Sequence, residues 1–314
     1  MTEPISMENV DVPTLIVAII SMLIVILSVS FYILVMSQSR KASRRYSFFP
    51  FDGQTVFNWV DGTYESIFTD GEKNDLVASM DPSAFDGQLM RLEGLHKIAD
   101  GQIVDISETS FFELLTSNLL MHGVVGVPDE TLRIANKFRH MNRDINRQPP
   151  SSIIGRSCFA NGMAVSMMIE DTNNLHLVSR RSKHVLIDKG FYNAPVVGTI
   201  KPVDFKARNP FAAAAARKAK EQTMLNVNPD DISIEGILIG ARRLQPIVLC
   251  SVTITPEAMR GISDRSKTSV MGDVTADYFC LDDDGLIELA HGQQQKIVEC
   301  AKYQFGLHVK ESFI

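Results

Sequence analysis

From Val12 to Ser39 the chain carries no charged residue, and Leu15 to Met36 is built largely of Leu, Ile, Val, Met and Phe. About 20 apolar residues at ~1.5 Å rise per residue span a hydrocarbon core ~30 Å thick. The hydroxyls of Ser21, Ser28, Ser30 and Tyr32 can bond helix carbonyls, so backbone satisfaction is no obstacle. A cleaved signal peptide would need a basic lead and a small-residue cleavage site. Here Glu3, Glu8 and Asp11 precede the run, and Arg40, Lys41, Arg44 and Arg45 follow it. The sequence therefore predicts an N-terminal transmembrane α-helix over 12–39, a short extracytoplasmic tail over 1–11, and a cytoplasmic C-terminal bulk, making a single-pass protein with the lipid bilayer as a partner. With no ionisable residue in the run, an ion path or pump relay is not expected.

The four cysteines, Cys158, Cys250, Cys280 and Cys300, form no C-x-x-C pair and read as reduced, structural residues on the cytosolic side. The chain has 31 Lys and Arg against 37 Asp and Glu, a net charge of −6. Nucleic acid is therefore an unlikely partner, because a basic patch supplies most of that affinity.

Residues 40–150 are expected to hold a basic juxtamembrane segment and a small α+β domain. Asp-Gly turns at Asp52, Asp61, Asp70, Asp86 and Asp100 punctuate short apolar runs, and 55–68 reads as a β-hairpin turning at Asp61-Gly62. Ser110 and Glu113 have capping-box spacing ahead of a helix that stops at Gly123. A second helix over about 129–147 has an apolar stripe and a basic face. Gln148-Pro149-Pro150-Ser151-Ser152 breaks it and marks a domain boundary.

Beyond the boundary, 163–169 and 175–178 read as a strand pair around the turn 171–174. Asn209 caps a helix with Pro210 in its first turn and five consecutive alanines. Strands follow at about 232–241 and 245–254, then a turn at 282–285 and a last helix over about 293–305. The usual phosphate-loop, dinucleotide, zincin and nucleophile-elbow motifs are absent.

What remains is an ordered set: Arg180-Arg181 after a strand, a loop through Gly198 and Asp204, then a helix ending Arg217-Lys218-Ala219-Lys220-Glu221-Gln222-Thr223-Met224-Leu225. Over about half of the chain this order resembles the Nudix superfamily, whose signature is G-x5-E-x7-R-E-U-x-E-E-x-G-U, with U a bulky aliphatic residue. Gly198 and Asp204 keep the first interval with a shorter acid, but twelve residues rather than seven separate Asp204 from Arg217. Arg217 and Glu221 match; Lys218 and Gln222 replace two glutamates, and Met224 replaces the closing Gly. The resemblance implies an α/β/α sandwich of the Nudix kind over 151–314, and it implies a site. Ligand-binding positions are Arg180, Arg181, Gly198, Asp204, Arg217, Lys218 and Gln222, while Glu221 is the remaining catalytic and metal-ligating acid.

Positions 218, 221 and 222 share one helix face, where three carboxylates would hold Mg²⁺ against a diphosphate. This sequence offers one. The first expectation is a degenerate site that binds a nucleotide or other diphosphate-containing small molecule with weak or no hydrolysis, Lys218, Arg180 and Arg181 supplying the charge a metal would have supplied. The second is an active Mg- or Mn-dependent hydrolase of nucleoside diphosphate derivatives with relocated acids, for which Asp204, Asp264, Asp273 and Asp277 stand as replacements. The third is a membrane assembly subunit acting through a homo-oligomer or a membrane partner protein. Lys183 and His184 lie near enough in sequence to contact a ligand phosphate.

Overall fold

The computed structural model describes residues 45–80, 86–119, 136–138, 140–182, 188–268 and 276–310, together with 21, 22, 24, 25 and 28. The chain divides into two compact units, Met1–Arg44 and Arg45–Ile314.

In the first unit Ser21, Met22, Ile24, Val25 and Ser28 are helical. Ser28 Oγ donates to the Ile24 carbonyl at 2.8 Å, as expected of a hydroxyl in an apolar helix. The anchor itself is corrected. Among the described residues no helix is long and apolar enough to cross a membrane. The rest of 12–39 and its flanks lie outside the described residues. The transmembrane helix, the single-pass placement and the lipid partner expected from the apolar run are therefore not supported.

The second unit is built on two sheets. Strands β1 (Tyr46–Pro50), β2 (Gln54–Trp59), β3 (Gln88–Ile98) and β4 (Gly101–Ser110) precede the proline break, with helix α1 (Asp70–Met80) between β2 and β3. The short helix α2 (Phe111–Leu114) runs into a π-helical turn at Leu115–Leu119. After the break come β5 (Ala164–Asp171), β6 (His176–Arg181), β7 (Tyr192–Asn193), β8 (Val196–Thr199), helix α3 (Pro210–Thr223), β9 (Ser233–Gly240), β10 (Pro246–Ile254), helix α4 (Pro256–Thr268), β11 (Ala276–Leu281), and helices α5 (Asp283–Gly292) and α6 (Glu299–His308).

The larger sheet has the order β1-β9-β10-β5-β6-β11, with β8 pairing β5 and β7 pairing β6. Among the described residues its β10–β5 pair is parallel and its other strand pairs are antiparallel. The smaller sheet is β2-β4-β3. Alternation along β5 separates two cores, as the pleat requires. Val165, Met167 and Ile169 join Phe211, Ala212, Ala215 and Ala219 of α3 and Met259 and Ile262 of α4. Met168 turns the other way, onto Leu286 and Ala290 of α5 and Ala301 and Phe305 of α6. On that second side Ser166 Oγ donates to Gln304 Oε1 of α6 at 2.7 Å. Helices thus cover both faces of a mixed sheet, an α/β sandwich.

The N-terminal strands belong to the same unit. β1 adds to the edge of β9 in register from Tyr46↔Gly240 to Pro50↔Gly236. Met90 N donates to Ile200 O at 3.0 Å, and Met90 O accepts from Met163 N at 2.8 Å. The boundary expected at 150 falls inside this unit.

Several local expectations hold and three are corrected. Ser110 Oγ accepts from Glu113 N, and Asn209 Oδ1 from Ala212 N at 3.2 Å, as the capping residues predicted. None of the four cysteines is disulfide-bonded. The hairpin at 55–68 does not form: β2 instead runs parallel to β4, and Thr63 is captured by Glu93, whose carboxylate accepts from Thr63 N at 3.0 Å and Thr63 Oγ1 at 2.8 Å. The turn expected at 282–285 is the start of α5, with Asp282 as its cap through Gly285 N. The last helix begins later than expected, at Glu299. Of the helix expected over 129–147, residues 129–135 and 139 lie outside the described set.

Candidate functional site

Helix α3 and the loop before it bring six of the expected site residues together. Alanines 212, 214, 215 and 219 are buried, so the helix lies close against the sheet and its polar positions crowd the β8 edge. Arg217 is the hub. Its Nε and Nη2 reach Asp204 Oδ1 and Oδ2 at 2.8 and 2.7 Å, a two-pronged pair on a buried carboxylate. Nη2 also donates to Thr199 O at 3.1 Å, and Nη1 to Glu221 Oε1 at 3.0 Å. Asp204 Oδ2 further accepts Lys201 N at 2.8 Å, which closes the loop onto the start of its own 3-10 turn. The hydrogen bond and charge of Asp204 raise the Arg217 pKa above its ordinary value, so the guanidinium stays charged.

Lys218 takes the remaining oxygen of Glu221: Nζ to Oε2 is 2.6 Å. Burial pushes the Glu221 pKa up, but the hydrogen bonds and charges of Lys218 and Arg217 outweigh it and hold the acid below its usual value. Gly198 makes this arrangement possible, because a Cβ there would overlap Cγ, Cδ and Cε of Lys218. The lysine stem lies across the glycine. Gln222 is occupied differently. Its Oε1 accepts Val197 N at 3.1 Å and its Nε2 donates to Val197 O at 2.7 Å, so it stitches α3 to β8. Met224, where the signature places Gly, takes φ 58° in the left-handed region that favours glycine. The backbone there has the form the signature asks for, with a different side chain on it.

The two arginines on β6 stand apart from this cluster. Arg180 is exposed, its guanidinium 5.9 Å from the Tyr192 ring centroid. Arg181 lines a cavity of about 220 Å³ with Asp188, Thr199, Arg243, Glu299 and Cys300, among others; Lys218 and Glu221 do not line it. Burial lowers the Arg181 pKa. In the same cavity Arg243 Nη2 pairs with Asp188 Oδ1 at 2.5 Å, and burial raises the Glu299 carboxyl to about 7. Sequence reading missed Asp188, Arg243 and Glu299, which come from three separate segments and share no spacing that would announce them.

Asp204 is committed to Arg217 and Lys201. Asp264 is exposed on α4 and Asp277 is exposed on β11. Asp273, Lys183 and His184 lie outside the described residues.

The strand pair, loop, arginine helix and following strands thus keep in three dimensions the Nudix-like order read from the sequence. No family model matches the chain, and no curated protein matches it by sequence. Among solved structures it is similar to the MutT protein of Methanosarcina mazei Go1, at 13% identity over 47% of this chain and 92% of that one, with a TM-score of 0.33. It is also similar to a putative Nudix hydrolase, Tm1382, at 12% identity over 47% of this chain and 70% of that one, TM-score 0.33. A third is the bifunctional NMN adenylyltransferase/ADP ribose pyrophosphatase of Francisella tularensis complexed with AMP and a manganese ion, at 13% identity over 55% of this chain and 47% of that one, TM-score 0.31. Likenesses at such scores decide neither the fold nor the activity of this chain. What the site does must be read from its own residues.

Proposed function

We propose that the α3 site binds a diphosphate-containing ligand, of the nucleoside diphosphate kind, without metal-dependent hydrolysis. The observation that carries this reading is the contact of Lys218 Nζ with Glu221 Oε2 at 2.6 Å. Both oxygens of the single acid on the helix face are held by cations, Oε1 by Arg217 and Oε2 by Lys218. A divalent ion usually needs several oxygen ligands and would have to displace an ammonium here. The neutral Gln222 amide cannot help, since both of its ends are bonded to Val197. The ligand class comes from the resemblance of the loop and helix to the Nudix signature. Lys218 is the group through which a phosphate would be met in place of metal, and neither Mg nor Mn is required for binding.

Titration calorimetry with ADP-ribose and ADP, with and without Mg²⁺, tests the reading. Binding that persists in EDTA, falls in Lys218→Ala and yields no nucleotide or phosphate on prolonged incubation is the expected result. Metal-dependent product release that disappears in Glu221→Gln would replace binding with hydrolysis, and absence of any binding would remove both.

A further inference from the structure

On the other side of the sheet from α3, the ends of five elements converge on two histidines. His176 opens β6, Glu170 lies near the end of β5, Glu235 is on β9, Thr253 on β10, and His308 closes α6. Ligand-capable atoms of Glu170, His176 and His308 all lie within 4.8 Å of one another. The two imidazole rings stand 5.9 Å apart at 75°.

Each ring is backed by a carboxylate. His176 Nε2 is 2.7 Å from Asp283 Oδ1, which makes Nε2 the donor to that carboxylate. The His176 Nδ1 is buried and makes no hydrogen bond, in a side chain only 3% exposed. His308 turns Nδ1 toward Glu170 Oε2 at 3.7 Å and Nε2 toward Glu235 Oε1 at 3.4 Å. Its side chain is 10% exposed, and Nε2 and Glu235 Oε2 are further buried atoms without a hydrogen bond. Thr253 Oγ1 donates to Glu170 Oε1 at 3.1 Å and fixes that carboxylate. Leaving a buried polar atom unbonded is costly, and the His176 Nδ1 in this cluster is one that a ligand would satisfy.

We propose that Glu170, His176 and His308 form a transition-metal site, zinc being the ion its donors suit best. Imidazole with one carboxylate is a zinc-type donor set, unlike the all-oxygen sets of Mg²⁺ or Ca²⁺. Tetrahedral zinc bonds of about 2.0–2.2 Å set ligand atoms roughly 3.3–3.6 Å apart, so donors now within 4.8 Å of one another have up to about 1.5 Å to close. Asp283 behind His176 and Glu235 behind His308 are the outer carboxylates that orient ligating imidazoles. Three protein donors leave the fourth tetrahedral position to water. Glu170, with 32% of its side chain exposed, is the way in.

The test uses the full chain, freed of metal with a chelator and then titrated with Zn²⁺, and with Co²⁺ as a spectroscopic probe. One ion per chain is expected, with the visible absorption of four-coordinate cobalt. His176→Gln and His308→Gln should each lower affinity at least tenfold, and Asp283→Asn about 10–100-fold through the outer shell. Glu221→Gln should leave the stoichiometry unchanged, which separates this ion from one on the α3 face. If the wild-type chain takes up no Zn²⁺ at millimolar concentration, or if uptake survives both histidine variants, the site is an ionic cluster of His308 between two carboxylates and the proposal fails. Should a histidine variant unfold, the cobalt spectrum of the wild-type chain still decides: a six-coordinate spectrum overturns the assignment.

Discussion

Lys218 Nζ lies 2.6 Å from Glu221 Oε2, one helical turn along α3, with its stem laid across Gly198. On the proposed function, this contact puts a positive charge where the Nudix resemblance implies a metal ion. Lys218→Glu should therefore convert the face from anion-binding to cation-binding. The expected outcome is loss of at least tenfold in ADP-ribose affinity in EDTA, and a new Mn²⁺ affinity in the millimolar range, both read by calorimetry. Adding Gln222→Glu is not a neutral way to strengthen that effect, because the Gln222 amide holds Val197 at both ends. The double variant should lose about 1–2 kcal/mol of stability with the Nε2 bond. Unchanged ligand affinity in Lys218→Glu would show that the lysine only covers the glycine.

The pair between Asp204 and Arg217 acts on the loop. Asp204 is buried while Arg217 keeps about a quarter of its side chain exposed, so solvent and Glu221 partly compensate the guanidinium when the acid is neutralised. Asp204→Asn should cost about 2–3 kcal/mol in urea unfolding, less than breaking a fully enclosed pair. It should also free Arg217 for added phosphate, seen as a thermal shift that the wild-type chain lacks. A variant as stable as the parent would mean that the Lys201 backbone bond alone closes the loop.

How much of this was legible follows from which forces act locally. The cap at Asn209, the helix after it and the strands around 164–181 and 233–254 are set by neighbours in sequence, and they formed where the residues said they would. The Asp61-Gly62 turn had equally good local credentials. It lost to Glu93, a partner 30 residues away that no periodicity reveals. At the site, helical spacing put Lys218 beside Glu221, whereas the bonding of Gln222 to β8 depends on how closely α3 sits on the sheet. The carboxylates behind His176 and His308 come from α5 and β9, so their pairing is purely a product of the fold.

Arg91 is fully buried on β3 and is the deepest charge described in the unit. It pairs with Glu93 and donates to Thr63 Oγ1 at 3.0 Å, Arg156 O at 3.2 Å and Phe159 O at 3.2 Å. Burial raises the Glu93 pKa, but the bonds from Ser107 and Thr63 and the charge of Arg91 leave it below its ordinary value. Removing one partner strands the other. Arg91→Met should cost about 3–5 kcal/mol, and Arg91→Met with Glu93→Gln should recover part of that loss. Chemical denaturation of Arg91→Met, Glu93→Gln and the double variant gives the coupling; strictly additive losses would show that the two charges are stabilised independently.

Glu299, at the start of α6, gives the fold a specific pH dependence. Burial raises its carboxyl to about 7, against an ordinary value of 4.5, even though Arg242 N donates to Oε2 at 3.0 Å and Arg242 and Arg243 bring positive charge. The folded state therefore holds a proton that the unfolded chain has released between those two values. Stability from this group is complete below about pH 4.5 and is lost as pH rises through 7, a slope opposite to that of a salt-bridged acid. The shift of roughly 2.5 units corresponds to at most about 3 kcal/mol. Glu299→Gln keeps an acceptor for Arg242 N and has no proton to lose, so it should match the parent near pH 4.5 and exceed it by up to that amount at pH 8. Urea unfolding of both proteins across this range checks it: a variant that follows the parent at every pH would assign the slope to another group, and a variant weaker at pH 8 would show that the charged form, held by the two arginines, is the one the fold prefers.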